Sequence, residues 1–199
     1  YIADDTNGLV LVDISTPGTP SLIGSYDTAG TGGDIGISSD ENTAYIADGA
    51  NGLVIIDITA PGTPSLITSY NPGAFAYAIE VSSDGNTAYI GDLMSGFLII
   101  DISTPATPGL VGSYAGTGFT LDVVISSDEN TAYIAGASNT IVILDITTPG
   151  TPSLIGSYAG AGTGSKLEIS SDESTAYVAG QYDGLVILDI TTPGTPSLI

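Results

Sequence analysis

Positive charge is almost missing from this sequence. It holds one lysine, Lys166, and neither arginine nor histidine, against 22 aspartates and glutamates, for a formal net charge of −21. The number of acids is ordinary for 199 residues; the imbalance comes from the lack of bases. Binding to nucleic acid rests on Lys and Arg neutralising phosphates, so nucleic acid is not an expected partner. Attraction to anionic lipid is missing for the same reason. A trypsin-like protease would find a single site, which suits a life outside the cell. Cysteine is absent as well, which removes disulfides and thiolate metal sites. There is no tryptophan and only one methionine, so little is easily oxidised. No apolar run approaches the roughly 18 residues of a helical membrane span, and no membrane insertion is expected. No signal peptide is visible. The chain opens at Tyr1, inside a repeat and without Met, so it reads as a piece of a longer or processed chain, and the missing signal does not argue for the cytoplasm.

What the chain does contain is a repeat. Tyr1, Tyr45, Tyr89, Tyr133 and Tyr177 mark successive units of one fixed length without insertion or deletion, giving repeats 1–44, 45–88, 89–132, 133–176 and a partial 177–199. Glycine and proline fall at set places within the units, which argues against disorder. A period in the range of about 40–50 residues is that of propeller blades.

One unit resolves into four strands. Tyr45-Ile46-Ala47 is short, and Asn51-Gly52 signals a turn. Leu53 to Ile58 is β-branched and apolar at nearly every position, so both of its faces should be buried. Pro61 and Pro64 cannot donate to a ladder, which makes Ala60 to Pro64 a turn or a polyproline-like crossing. Ser65 to Tyr70 is a further strand, suited to an edge. Ala78 to Ser82 alternates in polarity, and Ser83-Asp84-Gly85-Asn86 is a tight turn. Labelled in blade order, the strand at Ile79 is a, that at Tyr45 b, that at Leu53 c and that at Leu66 d. The chain then holds five b-c-d sets but only four a strands, at Ile35, Ile79, Val123 and Leu167. No segment has helical periodicity. The expected fold is all-β: a propeller, or an open array of blades, each a four-stranded antiparallel sheet in need of neighbours on both faces.

Leu9-Val10-Leu11-Val12-Asp13, Leu53-Val54-Ile55-Ile56-Asp57, Ile141-Val142-Ile143-Leu144-Asp145 and Leu185-Val186-Ile187-Leu188-Asp189 resemble the LVIVD repeat family. The flanking Ser-Ser-Asp-Glu-Asn-Thr-Ala-Tyr-Ile-Ala, at 38–47 and 126–135, is similar to the pattern of related propeller repeats. The resemblance covers the whole chain. It implies a β-propeller-like fold of bacterial or archaeal surface and secreted proteins, and it brings no catalytic motif with it.

Comparison among the repeats separates two rims. The a–b turns and c–d turns are nearly constant. Variation concentrates in the b–c loops (Asp5-Thr6, Gly49-Ala50, Leu93-Met94, Ala137-Ser138, Gln181-Tyr182) and the d–a loops at 27–33, 71–77, 115–121 and 159–165. Loops drift where nothing constrains them, and binding also sits on loops. Phe75, Tyr77, Leu93, Met94, Phe97, Phe119 and Tyr182 are the apolar candidates for a partner-binding face, with filling of gaps between blades as the alternative for some of them.

Carboxylates form two columns. Asp13, Asp57, Asp101, Asp145 and Asp189 each close an apolar strand before Ser or Thr and a proline turn, as anchors accepting bonds from the turn. Calcium ligation is the alternative, but no Asp-x-Asp-x-Asp-Gly loop is present. Asp4, Asp48 and Asp92, with nearby loop oxygens, form the second column and a second candidate metal set. With no cofactor expected, a nucleophilic site would lack His and Cys and depend on Lys166. Glu80 and Glu168 could serve only carboxylate chemistry of the glycosidase type. Gly30-Thr31-Gly32-Gly33 precedes a strand, not a helix, and is no phosphate loop. The expectation is a non-catalytic extracellular or cell-surface structural and interaction protein, self-assembling into filaments through incomplete end blades. The alternatives are an adhesin or glycan- or protein-binding propeller using its variable rim and, remotely, a carboxylate glycosidase.

Overall fold

The computed structural model describes residues 1–73, 75–136, 140–160, 164–180 and 184–199, with the side chains of 164 and 165 left aside. Five sheets follow one another along the chain. The first has three strands, β1 (Ile2–Ala3), β2 (Leu9–Asp13) and β3 (Ser21–Tyr26), in that order. The second runs β4 (Asp34–Ile37), β5 (Thr43–Ala47), β6 (Leu53–Asp57) and β7 (Ser65–Tyr70). The third holds β8 (Ala76–Val81), β9 (Thr87–Asp92), β10 (Gly96–Asp101) and β11 (Gly109–Tyr114). The fourth holds β12 (Thr120–Ile125), β13 (Thr131–Gly136), β14 (Thr140–Asp145) and β15 (Ser153–Ala159). The fifth holds β16 (Gly164–Ile169), β17 (Thr175–Gly180), β18 (Gly184–Asp189) and β19 (Ser197–Leu198). Ala115–Thr117 makes a single 3₁₀ turn. The fold is all-β and propeller-like, and the first sheet lacks strand a, as the repeat pattern requires.

Details of the strands differ from the sequence reading. Strand b begins at Thr43 in the second sheet and at Thr87 in the third, and Thr43 pairs with Asp57. Strand a begins at Ala76, not at Ala78, because Ala76 exchanges both backbone bonds with Gly49. Strand d carries a bulge in the first, second and fourth sheets, opposite Leu11/Val12, Ile55/Ile56 and Ile143/Leu144. It leaves Leu22, Leu66 and Leu154 exposed, as on an outer edge strand.

The chain divides into two compact units, Tyr1–Ala88 with Ile100–Gly109, and Tyr89–Ile99 with Leu110–Ile199. Each has the same internal logic. A blade presents one face bearing its tyrosine and alternate residues of strand c, and an opposite face that is wholly aliphatic. In the first unit, Leu9 and Leu11 pack against Ala44, Ile46, Val54, Ile56 and Ile58. In the second unit, Tyr89, Phe97 and Ile99 meet the face of Val123, Ile134, Val142 and Leu144. Tyr133, Ala135, Ile141 and Ile143 meet that of Leu167, Val178, Leu188 and Ile190. Each fully buried aliphatic side chain contributes about 1.5–3 kcal/mol, and this repeated junction is where the fold gets its stability.

Strand c was expected to be buried on both faces. That holds for β6, β10 and β14. It fails for β2 and β18, whose outward faces have no blade beside them among the described residues. On the aliphatic face of the first sheet, Ile2 is 47% and Ile14 70% exposed. On the tyrosine face of the fifth, Tyr177 is 41% and Leu185 64% exposed. The same positions in the second and fourth sheets (Ile46, Ile58, Tyr133 and Ile141) are all buried.

Candidate interaction surfaces

The constant rim is built by hydrogen bonds to short polar side chains. In each a–b turn a serine hydroxyl donates to the aspartate two residues on and accepts a backbone N–H five residues on. For Ser82 these bonds are 2.7 Å to Asp84 Oδ1 and 2.9 Å from Thr87 N. Asp84 also accepts from the Asn86 backbone and side chain, both at 2.9 Å. The arrangement recurs at Ser38–Thr43, Ser126–Thr131 and Ser170–Thr175. The third turn position is left-handed (φ 56° at Glu41, 71° at Gly85), and glycine at 85 takes it without steric cost. The two turns are tied to each other where Ile58 N donates to Asn42 O at 2.9 Å.

The strand-c aspartates are anchors, as the sequence indicated. Ser15 N, Thr59 N, Ser103 N, Thr147 N and Thr191 N donate to Asp13, Asp57, Asp101, Asp145 and Asp189 at 2.8–2.9 Å. Bonds from the Thr59 hydroxyl and then its amide hold the Asp57 carboxyl below the usual carboxylate range, and Asp145 and Asp189 follow the same pattern. The Ser38 hydroxyl does the same to Asp40. Burial, ahead of the charge of Asp40, pushes the Tyr45 phenol up. Among the described residues, no three His, Cys, Asp or Glu side chains are placed to hold a metal ion.

The variable rim differs from blade to blade. Asp48 is fully buried; its Oδ1 accepts the Thr28 hydroxyl at 2.8 Å and its Oδ2 the Asn51 amide at 2.8 Å. Asp4 is exposed and bonded to Asn7. Asp92 is fully buried, its Oδ1 accepting Met94 N at 2.7 Å and Ser95 N at 2.5 Å, while its Oδ2 has no partner among the described residues. Carboxylates also clasp successive blades: Asp34 Oδ2 accepts Ile79 N at 3.2 Å, and Asp122 Oδ2 accepts Leu167 N at 2.6 Å. Asp122 Oδ1 takes Lys166 Nζ at 3.0 Å. The sequence reading missed these clasps, although Asp34 and Asp122 share a column that Ala78 and Lys166 interrupt.

Of the apolar candidates, Leu93, Met94 and Phe119 come together, with Gly118, around a cleft of about 170 Å³. Met94 is 77% exposed and Phe119 58%. Phe75 is half-buried with its ring over Gly49, and Tyr77 is partly exposed on β8. Phe97 is a correction: it is fully buried, stacked on Tyr89 with ring centroids 6.2 Å apart, and belongs to the core. Tyr182 lies outside the described residues. Glu80 is half-buried on β8 and Glu168 exposed on β16.

Stacked four-stranded blades with one constant and one individual rim define a propeller-type repeat protein. A model described as the LVIVD repeat matches residues 1–28, 29–72, 76–116, 117–160 and 164–199, one sheet to each match, and the chain belongs to the LVIVD repeat family. No curated protein sequence matches it. Among solved structures the chain is similar to a functionally unknown protein from Desulfotomaculum acetoxidans, at 18% identity and a TM-score of 0.77, covering 98% of this chain and 63% of that one. It is also similar to the periplasmic gluconolactonase PpgL of Pseudomonas aeruginosa, at 15% identity and a TM-score of 0.75, covering 99% and 66%. A β-propeller domain from Myceliophteria thermophila shares 13% identity with a TM-score of 0.78, again covering 99% and 66%. At these identities the likeness is one of fold. The chain spans just under two-thirds of the length of these structures.

Proposed function

We propose that this protein is a non-catalytic structural and interaction protein of the cell exterior, which works by contact and grows by adding blades of its own pattern. One observation carries the reading. The junctions described in each unit join a tyrosine face to an aliphatic face, and one face of each kind is exposed, the aliphatic face of the first blade and the tyrosine face of the fifth. The exposed faces complement each other but not themselves. Association through them is therefore heterologous, head to tail, the kind that builds filaments when it does not close. In this reading the blade that covers each face comes from a second copy. The near-absence of basic residues and the single tryptic site support an extracellular or surface setting. The test is sedimentation velocity of chain 1–199 over micromolar to hundreds of micromolar concentrations, with electron microscopy of the same samples. Growth of the sedimenting species with concentration, and rods or fibres in the images, are expected. A single monomeric species throughout would remove self-assembly.

A second reading, contact with a surface glycan or protein through the variable rim, is favoured by the exposed cleft of Leu93, Met94 and Phe119. Replacing loops 71–77 and 115–121 with the sequence of 159–165 should then abolish binding to such a partner, and unchanged binding would dispose of this reading.

A further inference from the structure

We propose that the cleft between the Leu93–Met94 turn and Phe119 takes a basic side chain, lysine or arginine, from a protein partner. The proposal rests on the second reading above and names the chemistry of its ligand. It starts from the buried carboxylate beneath the turn. In the second blade, Asp48 has both oxygens occupied because Asn51 supplies a side-chain amide to Oδ2. Asn7 makes the same bond to Asp4 in the first blade. In the third blade the matching position is Ser95, whose backbone N–H goes to Oδ1. Oδ2 of Asp92 is left buried and without a donor among the described residues. A buried carboxylate without a counter-charge is costly and imposes a negative potential on its surroundings. The one lysine of the chain is engaged elsewhere, at Asp122.

With Asp92 itself buried behind the lining, the turn whose Met94 and Ser95 amides it accepts forms one wall of the cleft. Its walls are a thioether, an aliphatic chain and the ring of Phe119, with glycine at 118 leaving room. A lysine or arginine side chain matches all three properties of the place. Its methylene stem covers apolar wall. Its charge gains from an aromatic face. It brings a positive charge toward a carboxylate that lacks one. A net charge of −21 also steers basic partners towards this protein and repels acidic ones.

Met94 is the sole methionine, so methyl-labelled protein gives one resonance that reads the cleft directly. The probes are two capped tripeptides, acetyl-Ala-Lys-Ala-amide and the same peptide with norleucine in place of lysine. The lysine peptide is expected to shift the Met94 methyl saturably and to bind at least about tenfold more tightly than the norleucine peptide. Asp92→Asn and Phe119→Leu should each bring the two affinities towards equality. Phe119 is exposed, so Phe119→Leu leaves the fold intact and serves alone should Asp92→Asn fail to fold. Equal binding of the two peptides to the wild type would overturn the charge argument and leave the cleft as an apolar contact site. A Met94 resonance unmoved by either peptide would remove both the proposal and the reading beneath it. A lysine preference that survives in every variant that folds would also overturn it.

Discussion

Tyr133 and Tyr177 hold the same position in successive blades, and Tyr133 is 2% exposed while Tyr177 is 41% exposed. The difference is one neighbouring sheet. Leu167, Ala176 and Val178 of the fifth blade lie in one core cluster with Tyr133, whereas Tyr177 stands on an outward face. Cutting a large side chain out of such a junction leaves a cavity and removes buried area. Tyr133→Ala should cost about 3 kcal/mol or more. Tyr177→Ala, measured by urea unfolding at a concentration where the protein is monomeric, should cost well under half of that. Equal losses would mean that the two positions are equally packed in solution.

Strand-d glycines set how closely blades approach. A Cβ at Gly156 would stand 2.3 Å from the Pro193 carbonyl oxygen, which is backbone and cannot step aside. Gly24 and Gly112 face Pro61 and Pro149 in the same way. Gly150 has only one distant neighbour, the Val111 carbonyl oxygen at 3.7 Å. Gly156→Ala should therefore destabilise by about 1–3 kcal/mol, as over-packing does. Gly150→Ala should change the melting temperature little. Thermal unfolding of the two variants side by side checks the contrast.

Most of the fold was legible because one local rule repeats. The Leu-Val-Ile-Ile-Asp run of β6 reads as a strand with two apolar faces, the prolines at 61 and 64 end it, and the fixed period repeats the unit along the chain. The missing strand a of the first blade followed from the same pattern. The start of strand a was harder to place, because the Gly49–Ala76 pairing extends β8 through Ala76 and Tyr77, ahead of the alternating run from Ala78. The individual rim was only partly legible. Sequence grouped Leu93, Met94 and Phe119 by loop, but it included Phe97, whose burial depends on the stack against Tyr89. It could not show that Ser95, in place of an asparagine, leaves a buried carboxylate oxygen without a donor among the described residues, because that depends on distances within a turn.

The rim carboxylates fix a pH dependence. Hydrogen bonds from serine and threonine lower the pKa of Asp13, Asp40, Asp57, Asp84, Asp101, Asp128, Asp145, Asp172 and Asp189 in the folded state. A carboxylate with a lowered folded pKa stabilises above its unfolded value of about 3.9, and that stability is lost as the pH falls through the folded value. Burial raises the pKa of Tyr45 and Tyr133. Their contribution is present below the unfolded value of about 10 and lost as the pH rises through the folded one. The melting temperature should therefore be flat between about pH 5 and 9 and fall on both sides. Measured in 0.5 M salt to screen the like charges of the surface, Asp57→Ala should lower the plateau and flatten the acid limb. An acid limb unchanged in slope would show that these turns do not set the acid sensitivity.

The central claim is that the two end faces complement each other, and a mixing experiment tests it most directly. Ile14→Glu places a charge on the exposed aliphatic face of the first blade, and Leu185→Glu places one on the exposed tyrosine face of the fifth. Each variant keeps one intact face. Each alone should be monomeric by sedimentation velocity under conditions where the unmodified chain grows with concentration. Mixed in equal amounts, the two should form a species containing one of each and nothing larger. A mixture that stays monomeric while the unmodified chain associates, or a single variant that still forms filaments, would contradict head-to-tail growth through these faces.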